Sequence, residues 1–472
     1  MSEVPKREQP RRRVAYLLFA LAVGAALMTT LALQKQPEVP REAAFMAGIF
    51  VLAGLLWVTE ALPLFATALL VIGMEIILLA NPGAWAGFGF AAGESPPFQK
   101  ILHAAADPVL LLFFGGFLLA QSAVKEGVDK AVSSLLLKPF ERRARWLLLG
   151  ILSIAALFSM WMSNTAAAAM MITLVGPIIA QLPADEPFRK ALVLAVPIGA
   201  NLGGIGTPIA SPPNAVAVGF LRNMGHPVGF LQWMLVAVPL MIGLIAFSWL
   251  LLWLLFHPKS RDLRFQPAPQ HLGARGWYVV GVFTVTVRLW LSEQWHGLPA
   301  SVVALLPAIA LTAPGILTRD DVNGLHWNIL ILIGGGIALG AGMQMSGLDQ
   351  VIVRQLPATG AGGAWLIVAF VAATVGIGTF MSNTAAANLL RPIGISAAAA
   401  AGHAPVQMAI SIALAASMSM ALPISTPPNA IAYASGEFTT RELARSGIII
   451  GGAATLLIVL FGGAMMKFWG LL

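Results

Sequence analysis

Four short polar segments stand out from an otherwise apolar chain. Two carry a serine-asparagine-threonine triplet, Ser159-Met-Trp-Met-Ser163-Asn164-Thr165 and Gly378-Thr379-Phe-Met381-Ser382-Asn383-Thr384. The other two carry paired prolines, Thr207-Pro208-Ile-Ala210-Ser211-Pro212-Pro213-Asn214 and Pro423-Ile-Ser425-Thr426-Pro427-Pro428-Asn429. A proline inside a helix removes one N–H and pushes away the carbonyl four residues earlier. The pairs would therefore break their helices and free the carbonyls of Pro208, Ile209, Pro423 and Ile424. Freed carbonyls with Asn and Ser oxygens suit a hard monovalent cation such as Na⁺. A half-helix that starts at a break presents unpaired N–H groups and a positive dipole end, which suits an anion. Ser211 and Thr426 add a hydroxyl donor beside each break.

The surroundings decide what such groups cost. The chain has 472 residues, 58% of them hydrophobic and 10% charged, with a mean hydropathy of +0.83. Soluble domains carry roughly 25% charged residues, so a cytosolic enzyme, a nucleic-acid binder and a secreted domain are all excluded. The net charge of +8 does not point to nucleic acid, because the basic residues sit in short loops between apolar runs. With no cysteine there is no disulfide framework or thiolate metal site. The composition is that of an all-α polytopic membrane protein. Polar groups and proline at membrane depth are tolerated only where they line a cavity or are buried in protein.

A membrane helix needs about 20 apolar residues. Such runs lie near 14–33, 44–62, 64–80, 107–124, 147–182, 192–220, 230–256, 276–294, 300–316, 326–344, 363–400, 406–434 and 447–468. The runs 147–182 and 363–400 are twice the needed length and hold the Ser-Asn-Thr triplets at their middles. They read as two re-entrant hairpins, leaving 11 transmembrane helices, two of them broken. The positive-inside rule agrees. Lys6, Arg7 and Arg11 to Arg13 put the N-terminus in the cytoplasm. Lys138, Arg142, Arg143 and Arg145 follow four crossings, and Lys259, Arg261, Arg264 and Arg275 follow six. Arg441 and Arg445 follow ten, while Arg189 and Lys190 stay inside only if the first hairpin is re-entrant. The first helix reads as retained rather than as a cleaved signal.

The chain also aligns with itself. Gly48-Ile-Phe50, Trp57-Val-Thr-Glu60 and Gly127-Val-Asp129 recur in order as Gly281-Val-Phe283, Trp290-Leu-Ser-Glu293 and Gly347-Leu-Asp349. Both polar motifs recur too. Each unit holds five crossings plus a hairpin, an odd number, so the second copy is inverted. The organisation is then a basic N-terminus and first helix over 1–43, a first repeat over 44–256, a cytoplasmic linker over 257–275 and an inverted repeat over 276–472. Inverted repeats with interrupted helices build secondary transporters. One Ser-Asn-Thr alone would be helix–helix glue and one Pro-Pro a kink; duplication of both at matched positions makes them a site. Glu60 and Glu293 read as interfacial caps or intrahelical partners, and Arg391 as an anchor of a hairpin base at the interface. The seven histidines fall near loops and span ends. An intramembrane hydrolase on Ser163 or Ser382 would lack a base, so no enzyme is expected. A channel filter would need groups ringed about one axis.

From about residue 40 onward the motifs resemble the divalent anion:sodium symporter family. The resemblance rests on the two Ser-Asn-Thr tips, the Ser-Pro-Pro-Asn and Thr-Pro-Pro-Asn breaks and Trp57-Val-Thr-Glu60-Ala-Leu-Pro63, with Ser159-Met-Trp-Met closest to the dicarboxylate branch. It implies one sodium site near Ser159, Ser163, Asn164 and Ala210, and a second near Gly378, Met381, Asn383 and Ser425. It implies substrate carboxylates at Asn164, Thr165, Ser211, Asn383, Thr384, Thr426 and Pro427. It further implies a homodimer in the inner membrane, with scaffold helices over 44–80 and 276–316 and moving parts over 107–220 and 326–434. The expected activity is sodium-coupled symport of a C4-dicarboxylate by an elevator movement. A sodium-independent exchanger, or a citrate or sulfate carrier, is the alternative.

Overall fold

The computed structural model describes residues 9–88, 90, 95–140, 143–259, 271–355 and 364–472. Lys6, Arg7, Arg142, Arg261 and Arg264, and most of the 257–275 linker, lie outside the described residues, as do the side chains of Arg11 to Arg13.

The described elements are all helical. The chain opens with α1 (Gln9–Gln34), α2 (Arg41–Thr59) and α3 (Leu64–Glu75), which runs on as a π turn over Ile76–Ala80. Next come α4 (Phe98–Ala105), α5 (Val109–Lys125), α6 (Val128–Leu137), α7 (Ala144–Ser159), α8 (Asn164–Ala180), α9 (Phe188–Gly203), α10 (Pro212–Asn223) and α11 (Phe230–Leu255). The second part holds α12 (Ala274–Leu291), the short α13 (Glu293–His296) and α14 (Ala300–Val303), α15 (Leu305–Thr312), α16 (Arg319–Asn323), α17 (Trp327–Met345) and α18 (Leu348–Gln355). It closes with α19 (Ala364–Gly378), α20 (Asn383–Ala400), α21 (Pro405–Ala416), α22 (Pro427–Tyr433), α23 (Thr440–Leu457) and, after a π turn, α24 (Gly463–Phe468).

Among the described residues, six helical stretches are long and apolar enough to cross a membrane by length and composition. Six further apolar helices are shorter, and in four of them, at Ala144–Ser159, Asn164–Ala180, Trp365–Gly378 and Pro405–Ala416, the polar and proline motifs make the interruption. Each double-length run divides at its Ser-Asn-Thr, into α7 and α8 or α19 and α20. Each proline-pair run divides as well, into α9 and α10 or α21 and α22. The position of the break differs from the sequence expectation. Pro212 and Pro427 are not inside a helix; they occupy the first positions of α10 and α22. Proline suits that position, since its missing N–H would have had no helical partner there. The interruption therefore precedes the prolines, at Gly204–Ser211 and Ser417–Thr426.

Motifs that recur in the sequence share local geometry. Gly127 and Gly347 both sit at φ +69° after equivalent helices, a left-handed conformation that glycine adopts without steric cost. Trp57 Nε1 donates to Leu64 O at 3.1 Å and Trp290 Nε1 to Ala300 O at 2.9 Å. Both indoles are fully buried, and each pins the turn that follows its helix. Helix α7 packs on α9 through small residues: a Cβ on Gly203 would fall 2.7 Å from Ala156 Cα. At one end of the bundle, Arg189 grips Glu437 through Nε at 2.9 Å and Nη2 at 2.6 Å. Lys190 meets Glu442 at 2.7 Å beside it. These two pairs join the start of α9 to the start of α23, one from each repeat.

Candidate functional site

The Ser-Asn-Thr triplets are helix starts. Ser163 is the N-cap of α8, with extended backbone and its Oγ accepting from Ala166 N at 3.2 Å. Ser382 takes the same conformation before α20. Serine is favoured there because its oxygen satisfies one of the unpaired N–H groups of the first turn. Ser211 and Thr426 are the N-caps of α10 and α22, and Thr426 Oγ1 accepts from Asn429 N. Four helices thus begin with their positive ends near one another; α8 and α20 keep the N–H groups of their first residues, whereas α10 and α22 open on Pro212-Pro213 and Pro427-Pro428, which have none.

They begin around a single cavity of about 890 Å³. Its wall includes Ser163, Asn164 and Thr165 from the first tip and Ser382, Asn383 and Thr384 from the second. Ala210, Ser211, Pro212 and Pro213 come from the first break, and Ser425, Thr426, Pro427 and Pro428 from the second. Met381 lines it as well, whereas Ser159 and Gly378 lie buried behind the wall. Of the residues expected to bind a ligand, these last two are the only ones the cavity does not expose.

Around Ser159 the oxygens are crowded. Its Oγ lies 2.7 Å from Asn164 Oδ1 and 2.7 Å from Ala200 O. One hydroxyl has one hydrogen to give, so one of these acceptors faces another acceptor with nothing between them. A cation resolves such a conflict, as does a half-turn of the Asn164 amide that lets Nδ2 donate to the hydroxyl. In the second half Gly378 takes the place of Ser159, five residues before the tip asparagine. Its missing side chain makes room for the hydroxyl of Ser419, which presses against the position a Gly378 Cβ would take. Ser419 itself matches Gly204 of the first half, seven residues before the N-cap. Serine and glycine have exchanged places between the repeats, so each half keeps one hydroxyl there. Asn383 Oδ1 lies near this spot, buried and without a partner. Ser425 Oγ is already committed to Thr379 O at 2.7 Å. Ala210 and Met381 bring only backbone oxygens, which are the usual hard donors for an alkali cation.

The asparagines after the proline pairs hold the breaks rather than bind through them. Asn214 Nδ2 donates to Gly204 O and Thr207 O at 2.9 and 2.8 Å. Asn429 Nδ2 does the same for Met420 O and Leu422 O at 2.8 and 2.9 Å. Four carbonyls of the interruptions thus find donors further along the chain, and none of them is that of Pro208, Ile209, Pro423 or Ile424.

Several cavity residues have no motif to announce them. Asn201, fully buried in α9, donates to Thr426 Oγ1 at 3.2 Å and Asn429 Oδ1 at 3.1 Å. Ser417 of the second half returns the gesture, with its Oγ 3.4 Å from Ser211 Oγ. Each repeat thereby braces the N-cap of the other. The available signal was a lone amide in an apolar run, which at membrane depth is rarely idle. Asn201→Leu is expected to lower anion affinity about tenfold, since removing one partner of a buried hydrogen bond costs about 1–3 kcal/mol. A binding titration on the purified variant checks this, with the melting temperature as control.

Of two expectations about charged residues one is corrected. Glu60 is the C-cap residue of α2, at φ +49°, a left-handed conformation unfavourable for glutamate; it is exposed and also lines the cavity. It is the one charged side chain among the wall residues. Arg391 is not at the interface: it is 1% exposed and donates through Nη2 to Pro213 O at 2.8 Å. Helix α20 turns that side chain into the protein, against α10, which the hairpin sequence alone does not reveal.

The fold and the ring of helix starts are those of a polytopic helical transporter, not of an enzyme. Residues 12–472 match the family model for the sodium:sulfate symporter transmembrane region, and the chain belongs to that family. Among curated relatives, the sodium-dependent dicarboxylate transporter SdcS of Staphylococcus aureus is 28% identical over 484 residues, covering 94% of this chain and 90% of its own. An uncharacterized transporter of Haemophilus influenzae is 29% identical, covering 91% and 93%. One of Schizosaccharomyces pombe is 30% identical over 89% of this chain, which spans only 50% of that longer protein. Two solved structures share the fold: the YdaH transporter of Alcanivorax borkumensis, at 14% identity and TM-score 0.57 over 87% of this chain and 98% of its own, and MtrF of Neisseria gonorrhoeae, at 12% and 0.56 over 86% and 94%.

Proposed function

We propose that the protein is a secondary active carrier that takes up a small divalent anion together with sodium ions, with C4-dicarboxylates such as succinate, malate and fumarate as cargo. The observation that carries this reading is the convergence of four helix N-termini, from both repeats, on one cavity of about 890 Å³. Two carboxylates of one substrate match two pairs of helix starts. One pair is Asn164 and Thr165 of α8 with Thr426 and Pro427 of α22, which packs on it; the other is Asn383 and Thr384 of α20 with Ser211 at the start of α10. A dianion among neutral donors is costly to bury unless its charge is offset, and co-bound cations supply the offset. The oxygens of Ser159, Ser163, Asn164 and Ala210 hold one. Those of Gly378, Met381, Asn383 and Ser425, with Ser419 beside them, hold the other.

In this reading 11 helices cross the inner membrane, the N-terminus is cytoplasmic, and α7–α8 and α19–α20 are re-entrant hairpins of two inverted repeats. The hairpins and broken helices move as a body against a scaffold built around α2, α3 and α12 to α15, as in an elevator. The carrier works as a homodimer held by that scaffold. The relative named as sodium-dependent for dicarboxylates supports the substrate class and the co-ion.

Purified protein in liposomes should accumulate labelled succinate at least about tenfold faster under an inward Na⁺ gradient than under K⁺ alone. Equal uptake in both, with exchange driven by internal succinate, assigns the protein instead as a sodium-independent exchanger. Competition by malate, citrate and sulfate then ranks the cargo.

A further inference from the structure

Behind the cavity wall lies a charged group that the transport reading does not use. On α20 the residues Thr384, Asn388 and Arg391 follow one another at helical spacing on one buried face. Thr384 lines the cavity, while Asn388 and Arg391 are each 1% exposed. Arg391 donates to Pro213 O, the carbonyl of a residue that itself forms the cavity wall. Its Nε and Nη1 find no partner, and neither do Nδ2 and Oδ1 of Asn388. The ion pairs among the described residues do not include Arg391. In the first repeat the positions equivalent to Asn388 and Arg391, counted from the tip asparagine, are Ala169 and Ile172.

A guanidinium keeps its charge in nearly any protein setting, and an unpaired buried charge is a large penalty. Side chains on a helix lean toward its N-terminus, so that of Arg391 leans toward the end where Asn383 and Thr384 meet the cavity. One carbonyl does not neutralise it. Among the described residues no carboxylate is paired with it, not even the buried Glu75 of α3 or Asp349 beside α20, and an anion in the cavity, on the far side of Pro213, would supply the compensating charge.

We propose that Arg391 is a fixed positive charge neutralised by the bound anion, a charge-selecting residue that makes the site prefer a dianion over a monoanion even without a co-bound cation. This rests on the anion-carrier reading above. It also alters the charge balance there, because part of the offset otherwise required of sodium is built into the chain. At an effective dielectric near 20, a unit charge several ångströms from the substrate is worth about tenfold in affinity per anionic charge.

The test compares succinate with monomethyl succinate, of similar shape but one charge fewer, binding to the purified full-length protein. In sodium-free N-methylglucamine buffer the unaltered protein should still bind succinate at least about tenfold more tightly. Arg391→Gln and Arg391→Met should collapse that ratio toward one, and Arg391→Lys should restore most of it. A tie that merely braced α10 would weaken both ligands alike and leave the ratio intact, which overturns the proposal. So does an unaltered protein that shows no dianion preference without sodium, a measurement that stands even if the variants fail to fold. If the unaltered protein binds neither these dicarboxylates nor sulfate under any cation, it is the carrier reading that fails. A transported dianion with an unchanged ratio in the variants fails only the charge-selecting role of Arg391.

Discussion

Asn383→Ala is expected to abolish concentrative uptake, lowering it more than about a hundredfold, and Asn164→Ala to do the same from the other set of motifs. Each asparagine is the first residue of a helix, α20 or α8, and each lines the cavity. In the proposed reading each offers a side-chain oxygen to a cation and a first-turn N–H to the anion. Asn383 Oδ1 is buried with no partner, a state that costs about 1–3 kcal/mol unless a ligand fills it. Asn164 Oδ1 belongs to the crowded oxygens about Ser159. Removing either oxygen takes a ligand from a cation and loosens the anion that cation holds, so the losses compound. Uptake into liposomes measures the effect. A single monodisperse peak and a melting temperature near that of the parent show that the fold survives. Uptake retained in both variants would sink the site assignment.

Gly203→Val destroys the carrier by a different route, through packing. Gly203 ends α9 where that helix crosses α7, and its missing side chain lets the two backbones touch. A Cβ there meets Ala156 Cα and its carbonyl carbon at 2.7 and 2.8 Å, backbone atoms that no rotamer change can move aside. Overpacking a tight core costs about 1–3 kcal/mol even where side chains can yield; a backbone clash stands at the top of that range or above it. The shift also carries through Gly204 to Asn164, whose amide lies 2.6 Å from a Gly204 Cβ position. We expect a melting temperature many degrees lower and no measurable uptake. Gly243→Ala is the matched control, because nothing lies within 4 Å of its Cβ position in α11. A Gly203→Val protein as stable and active as that control would show that α7 and α9 do not pack as described.

Much of the candidate site is legible in the amino-acid sequence. The Ser-Asn-Thr and Pro-Pro-Asn motifs are local signals for where a helix stops and the next begins, and they mark all four interruptions. Their duplication shows that the interruptions come in matched pairs. What those signals misplace is the prolines, which begin the second half-helix instead of breaking the first. A proline pair disfavours helix on its N-terminal side and tolerates it on the other, so the same residues fit both readings until the flanking turns are seen.

The charged residues divide in the same way. That only 10% of the chain is charged identifies a membrane protein by itself. That Arg391 lies buried against the carbonyl of Pro213 is not legible there. Whether an arginine on α20 faces lipid headgroups or protein depends on the rotation of that helix against α10 and α17. Its own sequence does not contain that angle. Nor does it contain the bracing of Thr426 by Asn201, or the hydroxyl of Ser419 standing in for Ser159 across the repeat. Local motifs determine where helices start and which way their dipoles point, because capping and proline chemistry act within a turn. Which of those starts share one cavity, and which buried charge stands behind it, was decided only by the packing of helices about 200 residues apart in the chain.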